Sequence, residues 1–276
     1  MTDHLHKVRK QDPLSGAQII KEGSMQDRTL LRIGAVSLIV GIVVFVLSVF
    51  AGLLQLAEGE PGDFRPLLQS IADSPLWGGI HVVGLAALLL FIGGLLALSR
   101  SITKEPGSAL AQLGFTSALL GGVFLSIQSI MEGSHTMKAL TEAWAAATDK
   151  EVLFTVAKTL FNLGTDFGSW GVVIIFGVVP IIFGLAIVLT DIYPKWLGWM
   201  ALVGGVGAAS MGIALFLQGL FHAGIFSFFV FAVVVTLWLI VMGVLMWRRA
   251  GAAAKSAEAS SLDFRTAGTP DIARIA

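Results

Sequence analysis

Long apolar runs recur along the chain from residue 30 onward, and shorter polar segments separate them. A helix needs about 20 apolar residues to cross a hydrocarbon core of about 30 Å, and every run reaches that length. The runs cover residues 30–57, 76–98, 109–131, 167–190, 196–221 and 224–247. The pattern predicts an all-α protein, a six-transmembrane-helix bundle.

Two of the segments between spans are long enough to hold structure of their own. Residues 58–75 carry several Pro and Gly residues, which predict a loop with a short helix at 66–72. Residues 133–166 repeat apolar side chains at helical intervals with Lys, Glu and Thr between them. That spacing predicts amphipathic helices that form a cap on the outer side of the bundle.

The two ends of the chain are polar, unlike the membrane domain at 30–248. Residues 1–29 are too long and too hydrophilic for a cleaved signal peptide, so we expect an N-terminal tail that is retained. Residues 249–276 are rich in Ala and Ser and lack an apolar stripe, which predicts a disordered tail.

Basic residues near the span ends predict the orientation in the membrane. One side carries Lys21, Arg28, Arg32, Arg100, Lys104, Lys195, Arg248, Arg249 and Lys255. The other side carries Arg65, Lys138, Lys150 and Lys158, spread over longer loops. Because cytoplasmic loops are enriched in Lys and Arg, both termini are expected to be cytoplasmic.

Composition narrows the classes of partner and cofactor. Only 13% of residues are charged, where soluble domains have about 25%, so the lipid bilayer is the expected surroundings. Lys+Arg 18 and Asp+Glu 18 balance, and no basic stripe occurs, so we expect no nucleic acid partner. The chain has no cysteine, which excludes disulfides, thiolate metal sites, iron–sulfur clusters and covalent haem.

Small residues and one proline stand out inside the spans. Gly204, Ala208 and Gly212 follow the small-xxx-small spacing that packs membrane helices closely, as do Gly164 and Gly168. Such faces indicate packing within the bundle, or alternatively a homo-oligomer or a membrane partner. Pro180, in the middle of the fourth span, predicts a kink because it removes one helical hydrogen bond.

Polar residues at membrane depth are the candidates for function, because an ionisable group there is costly without a partner or a task. They lie near the outer ends of four spans and often four residues apart, on one helix face. The candidates are His81; Gln128, Glu132 and His135; Asn162 and Asp166; and Gln218 and His222.

Three kinds of cofactor site fit this set. Imidazole and carboxylate groups suit a transition metal, with ligands drawn from His81, Glu132, His135, Asp166 and His222. Two histidines on neighbouring spans suit a b-type haem. A hydrolytic zinc with an open position would use a carboxylate as base. Gln128, Asn162 and Gln218 would then orient a ligand or contact it.

Other interpretations need no cofactor. Hydrogen bonds among these side chains can simply hold the helices together. The residues can also line a binding site in a small-molecule transporter or a lipid-binding protein, although the bilayer midplane lacks the ionisable groups typical of coupled transporters. A non-catalytic accessory subunit is a further alternative, and no residue is singled out as catalytic.

A short motif resembles a known family. Tyr193-Pro194-Lys195-Trp196-Leu197-Gly198-Trp199 forms a Pro-(Arg/Lys)-Trp-Leu turn before a Gly-rich span, and the last span contains Trp238-Leu239-Ile240. Both features are similar to those of bacterial multi-pass membrane proteins grouped as a domain of unknown function. The resemblance implies a bacterial cytoplasmic membrane, and it implies no activity or catalytic residue.

Overall fold

The computed structural model describes residues 13–54, 63–218 and 225–267, and every regular element in these ranges is helical. Side chains are described for 28–52, 54, 63–217 and 230–252. The elements are α1 (Pro13–Leu54), α2 (Arg65–Asp73), α3 (Trp77–Ser101), α4 (Gly107–Gly133), α5 (His135–Ala146), α6 (Glu151–Val172), a π-helix (Val173–Val178), α7 (Val179–Val188), α8 (Lys195–Gln218) and α9 (Ile225–Ala267).

Six helical stretches are long and apolar enough to cross a membrane, which confirms the number of spans predicted from the sequence. They are Arg28–Gly52, Trp77–Ser101, Gly107–Ala146, Glu151–Val188, Lys195–Leu217 and Val230–Ala252. The third and fourth are longer than the predicted spans, at 40 and 38 residues. A 38-residue helix is about 57 Å long, so part of it extends beyond a bilayer core.

Glycines allow several helices to approach backbone to backbone. A Cβ on Gly94 of α3 would lie 2.5 Å from Cα of Leu38 of α1. The predicted small-residue faces are also used inside the bundle, since a Cβ on Gly212 would lie 2.7 Å from Cγ2 of Val173. Packing within the chain therefore accounts for these faces, and an oligomer contact stays a prediction.

A π-helix directly precedes the helix that contains Pro180, the residue at which the sequence predicts a kink. Residues Val173–Val178 have this wider turn directly before α7, in which Pro180 lies near the N-terminus. Proline has no N–H to donate and its ring clashes with the carbonyl four residues earlier, and a π-turn accommodates both. Phe176 in the π-helix is buried in the core.

A second apolar cluster lies where α3 begins and α4 ends, and we call it the end cluster. It contains Phe64, Leu67, Leu68, Ile71, Trp77, Met137, Trp144, Ala157 and Phe161. The short helix predicted at 66–72 is α2, and the amphipathic segment forms α5 and the first turns of α6. Lys138 of α5 donates to the carbonyl of Ile71 at 3.0 Å and to that of Ala72, so it caps the C-terminus of α2.

The disorder expected for the C-terminal tail is wrong for residues 249–267. α9 continues to Ala267, whereas we expected disorder from residue 249. Ala has the highest helix propensity, and extending an existing helix avoids the cost of nucleation, so an Ala-rich tail can continue the last span. The remaining residues, 268–276, lie outside the described ranges.

Candidate functional site

A cavity of about 310 Å³ lies between the membrane helices, beside the end cluster. It is bounded by the end of α1, the beginning of α3, the end of α4, the middle of α6, the π-helix and α9. Its polar side chains are Ser48, His81, Gln128, Ser129, Glu132, Thr165, Ser169 and Thr236. A binding cavity in a protein has a volume of about 300 to 1,000 Å³, so this one is large enough for a small molecule.

The apolar part of the cavity wall is built largely from aromatic and aliphatic residues. Phe45 of α1 and Phe176 of the π-helix stack at 6.3 Å between ring centroids. Leu125 of α4 and Val172 of α6 continue this surface. The π-helix widens the backbone just where Phe176 meets the cavity, and such turns occur frequently at functional sites.

Glu132 is the acidic group of the cavity. Only 7% of it is exposed, although it lies in the last turn of a membrane helix. Its Oε1 accepts from Nε2 of Gln128 at 3.2 Å and from the hydroxyl of Thr165 at 3.3 Å, and its Oε2 accepts from Gln128 at 3.3 Å. Both partners are neutral, and no described Lys, Arg or His forms an ion pair with this carboxyl group.

Two glycines on α6 make room for this arrangement. A Cβ on Gly164 would lie 3.1 Å from Cγ of Glu132, and a Cβ on Gly168 would overlap the amide of Gln128. The Gly164/Gly168 pair therefore has a specific role beyond general helix packing. It lets α6 approach α4 at the two residues that carry the polar group of the cavity.

Trp77 and His81 lie one turn apart on α3, and both pack against the end of α4. The indole Nε1 of Trp77 donates to the main-chain carbonyl of Glu132 at 2.7 Å. Nδ1 of His81 donates to the carbonyl of Trp77 at 2.8 Å, because a carbonyl can only accept. Nε2 of His81 is thereby left as an acceptor in the neutral ring, and it has no hydrogen-bond partner among the described residues.

Most hydroxyl groups around the cavity already donate a hydrogen bond within the protein. Ser48 donates to the carbonyl of Val44 at 2.9 Å, and Ser169 donates to that of Thr165 at 2.9 Å. The hydroxyl of Thr165 is shared between the Phe161 carbonyl and Glu132. Their oxygens still have free lone pairs and can accept from a ligand. In the described part of the chain, the buried Thr236 hydroxyl has no partner.

The structure brings together only part of the predicted site. His81, Gln128 and Glu132 line the cavity. Asn162 and Asp166 lie on an exposed face of α6. His222 and the side chain of Gln218 lie outside the described residues.

The spacing predicted that His135 lies on the same helix face as Glu132, but the structure places it elsewhere. α4 ends at Gly133, and Ser134 is extended with ψ of 157°. Its hydroxyl accepts from the Met137 N–H at 3.2 Å and so begins a new helix, α5. His135 is therefore the exposed first residue of α5, and the continuous helical projection from Glu132 was wrong.

Sequence reasoning missed Trp77, Thr165 and Ser48 as parts of the site. For Thr165 a signal was present, since Gly164-Thr165 and Gly168-Ser169 repeat a small residue followed by a hydroxyl residue four positions apart. That repeat marks a face that allows close approach and supplies hydrogen bonds. Trp77 gives no distinct signal in the sequence, because a Trp near the end of a span is also typical of the membrane interface.

The described residues offer little to a metal ion. No group of three His, Asp or Glu side chains comes together among them. At the cavity they supply one imidazole nitrogen and one carboxyl group, whereas a zinc site takes three or four protein ligands. What the arrangement does offer is a set of hydrogen-bond acceptors on one wall of an apolar cavity.

Comparison with protein-family models, with curated proteins and with solved structures finds no match to this chain. Its class follows from its own fold, which is that of a helical, multi-pass membrane protein. The resemblance of Tyr193–Trp199 to a bacterial membrane family stays a prediction.

Proposed function

We propose that this protein binds a small amphipathic molecule in the cavity between its membrane helices. The observation that carries the proposal is Glu132, a carboxyl group buried on the wall of an otherwise largely apolar cavity. The ligand's polar head would contact Glu132 and His81, and its apolar body would lie against Phe45, Leu125 and Phe176. The protein would thus be a lipid-binding protein or a small-molecule transporter, without a required cofactor.

The cost of placing a carboxyl group at this position supports the proposal. Ionisable residues inside membrane helices are expensive, and they usually mark a path or a binding site. Hydrogen bonds of 3.2 to 3.3 Å from neutral donors leave Glu132 with acceptor capacity to spare. Purely structural hydrogen bonding would need no cavity beside the group.

We further propose the orientation and location. Both termini would be cytoplasmic, and the cavity and the end cluster would lie towards the outer face of a bacterial cytoplasmic membrane. The distribution of Lys and Arg supports this orientation. Because the chain has no cysteine, single cysteines test it directly. A membrane-impermeant maleimide should label Thr148→Cys on intact cells, and label Thr103→Cys only after lysis; the opposite pattern would reverse the orientation.

Native mass spectrometry of the full chain released from detergent tests the binding function. The probes are tetradecylamine, tetradecanol and tetradecanoic acid, which share a tail and differ in the head. We expect a saturable one-to-one adduct with at least one probe. Ala232→Phe, which adds a ring at the cavity wall, should abolish this adduct. Val203→Phe, on an exposed face of α8, is the matched control and should leave it unchanged.

Two outcomes would contradict the proposed function. One is the absence of a discrete adduct with all three probes in a folded, monodisperse sample. The other is an adduct that Ala232→Phe and Val203→Phe affect equally, because binding would then take place on the lipid-facing surface.

A further inference from the structure

The polar wall of the cavity presents more free acceptors than free donors. The amide of Gln128 is engaged with Glu132, and the indole N–H of Trp77 is engaged with a main-chain carbonyl. The hydroxyls of Ser48 and Ser169 donate to carbonyls of their own helices. The groups left to meet a ligand are therefore mainly oxygen lone pairs and one imidazole nitrogen.

The charges of the side chains around the cavity also favour a ligand that donates hydrogen bonds. Glu132 supplies the acidic group of the cavity, and no Lys or Arg lines it among the described residues. Described basic side chains near this end of the bundle lie around the end cluster instead: Lys138 donates to carbonyls of α2, and Lys158 lies over the ring of Phe64. An anionic head would thus meet acceptors and a carboxyl group without a compensating cation.

We propose that the ligand head is a protonated amine, so that the cavity selects a cationic amphiphile such as a long-chain primary amine. This inference rests on the proposed binding function and specifies its substrate class. An ammonium group has three donors and no acceptor, which complements this wall. A hydroxyl head satisfies the acceptors in part, and a carboxylate head satisfies none of them while adding like charge.

Aromatic rings add to this selectivity. Trp77 and Phe161 both line the cavity next to the acceptors, and the indole ring of Trp77 packs 4.9 Å from the ring of His81. A cation over an aromatic face is stabilised, most strongly where water is excluded. Two hydroxyls in the described part, those of Ser129 and Thr236, can donate or accept, so they too can accept from an ammonium group.

The test compares the affinities of the three tetradecyl probes for the full chain. In the wild type, the amine should bind about ten- to a hundredfold more tightly than the acid, as expected for one hydrogen bond to a charged group. Glu132→Gln keeps the shape of the side chain and removes the charge. This substitution should weaken binding of the amine by a similar factor and binding of the alcohol by much less. Asp166→Asn, an exposed carboxyl group on α6, is the matched control and should change neither.

The possible results distinguish a failure of the amine inference from a failure of the proposed binding function. If the acid or the alcohol binds in the cavity as tightly as the amine, the amine inference is overturned while the binding function stands. If Glu132→Gln leaves the preference for the amine unchanged, the assignment of the head to Glu132 is overturned. The wild-type comparison decides the question even if the Glu132 variant does not fold, and absence of binding by all probes contradicts the binding function itself.

Discussion

The indole of Trp77 and the main chain of Glu132 are joined by a hydrogen bond of 2.7 Å that spans 55 positions of sequence. Glu132 lies in the last turn of α4, where carbonyl groups have no partner inside the helix. Trp77 supplies that partner from the first residue of α3. This one hydrogen bond satisfies a buried carbonyl group. It also holds the end of α4 against α3, and so positions the Glu132 side chain at the cavity.

Removing this bond should destabilise the protein measurably. Trp77→Phe keeps an aromatic ring but leaves the carbonyl of Glu132 unpaired, at a cost of about 1 to 3 kcal/mol. The measurement is the thermal unfolding midpoint of the detergent-purified chain, which we expect to fall. Trp199→Phe, at an exposed position of α8, is the control and should have little effect. Equal midpoints for the two variants would show that the bond contributes nothing.

The close approach of α6 to α4 should control ligand affinity through Gln128. In Gly168→Ala the new Cβ overlaps the Gln128 amide, which must rotate away and release the carboxyl group of Glu132. We expect weaker amine binding with only a modest loss of stability, since the displaced atoms are the end of a flexible side chain. In the control Gly79→Ala nothing lies within 4 Å of the new Cβ. Unchanged affinity in Gly168→Ala would mean that Gln128 does not position Glu132.

The contact between α1 and α3 should be far less tolerant. In Gly41→Ala the Cβ would overlap the main-chain nitrogen of Phe91 and lie 2.9 Å from the carbonyl of Ala87, so the helices must separate. Overpacking of this kind costs about 1 to 3 kcal/mol. Gly93→Ala, with open space around its Cβ, should be neutral or slightly stabilising. Unfolding midpoints measured side by side test the difference, and the opposite order would place the tight contact elsewhere.

Lys138 should stabilise α2 in particular. Lys138→Met keeps the apolar stem and removes the two hydrogen bonds to the end of α2, at a cost of about 1 kcal/mol. Hydrogen exchange should become faster in α2 and stay unchanged in α3. Lys158→Met is the control, because Lys158 lies over the ring of Phe64 at 5.3 Å and caps no helix. Equal exchange in α2 for both variants would argue against the capping role.

The sequence allowed the membrane helices to be predicted because length and apolarity decide whether a segment can span a bilayer. Part of the site was predictable for a related reason, since a costly residue such as Glu132 or His81 stands out among apolar neighbours. The placement of His135 was not predictable from spacing, because it depends on the helix break at Ser134. The role of Trp77 depends on a contact between two helices, which periodicity along one helix does not reveal.

Photo-crosslinking in membranes shows whether a ligand occupies the cavity. The probes are a long-chain amine and the matching alcohol, each with a diazirine in the tail, applied to the full chain with and without excess unlabelled amphiphile. If a ligand occupies the cavity, it should form competable adducts on peptides that contain Phe45, Leu125 or Phe176, which line the cavity. These adducts should be lost in Ala232→Phe. If both probes label only lipid-facing positions such as Val203, and competitor has no effect, the cavity is not a binding site.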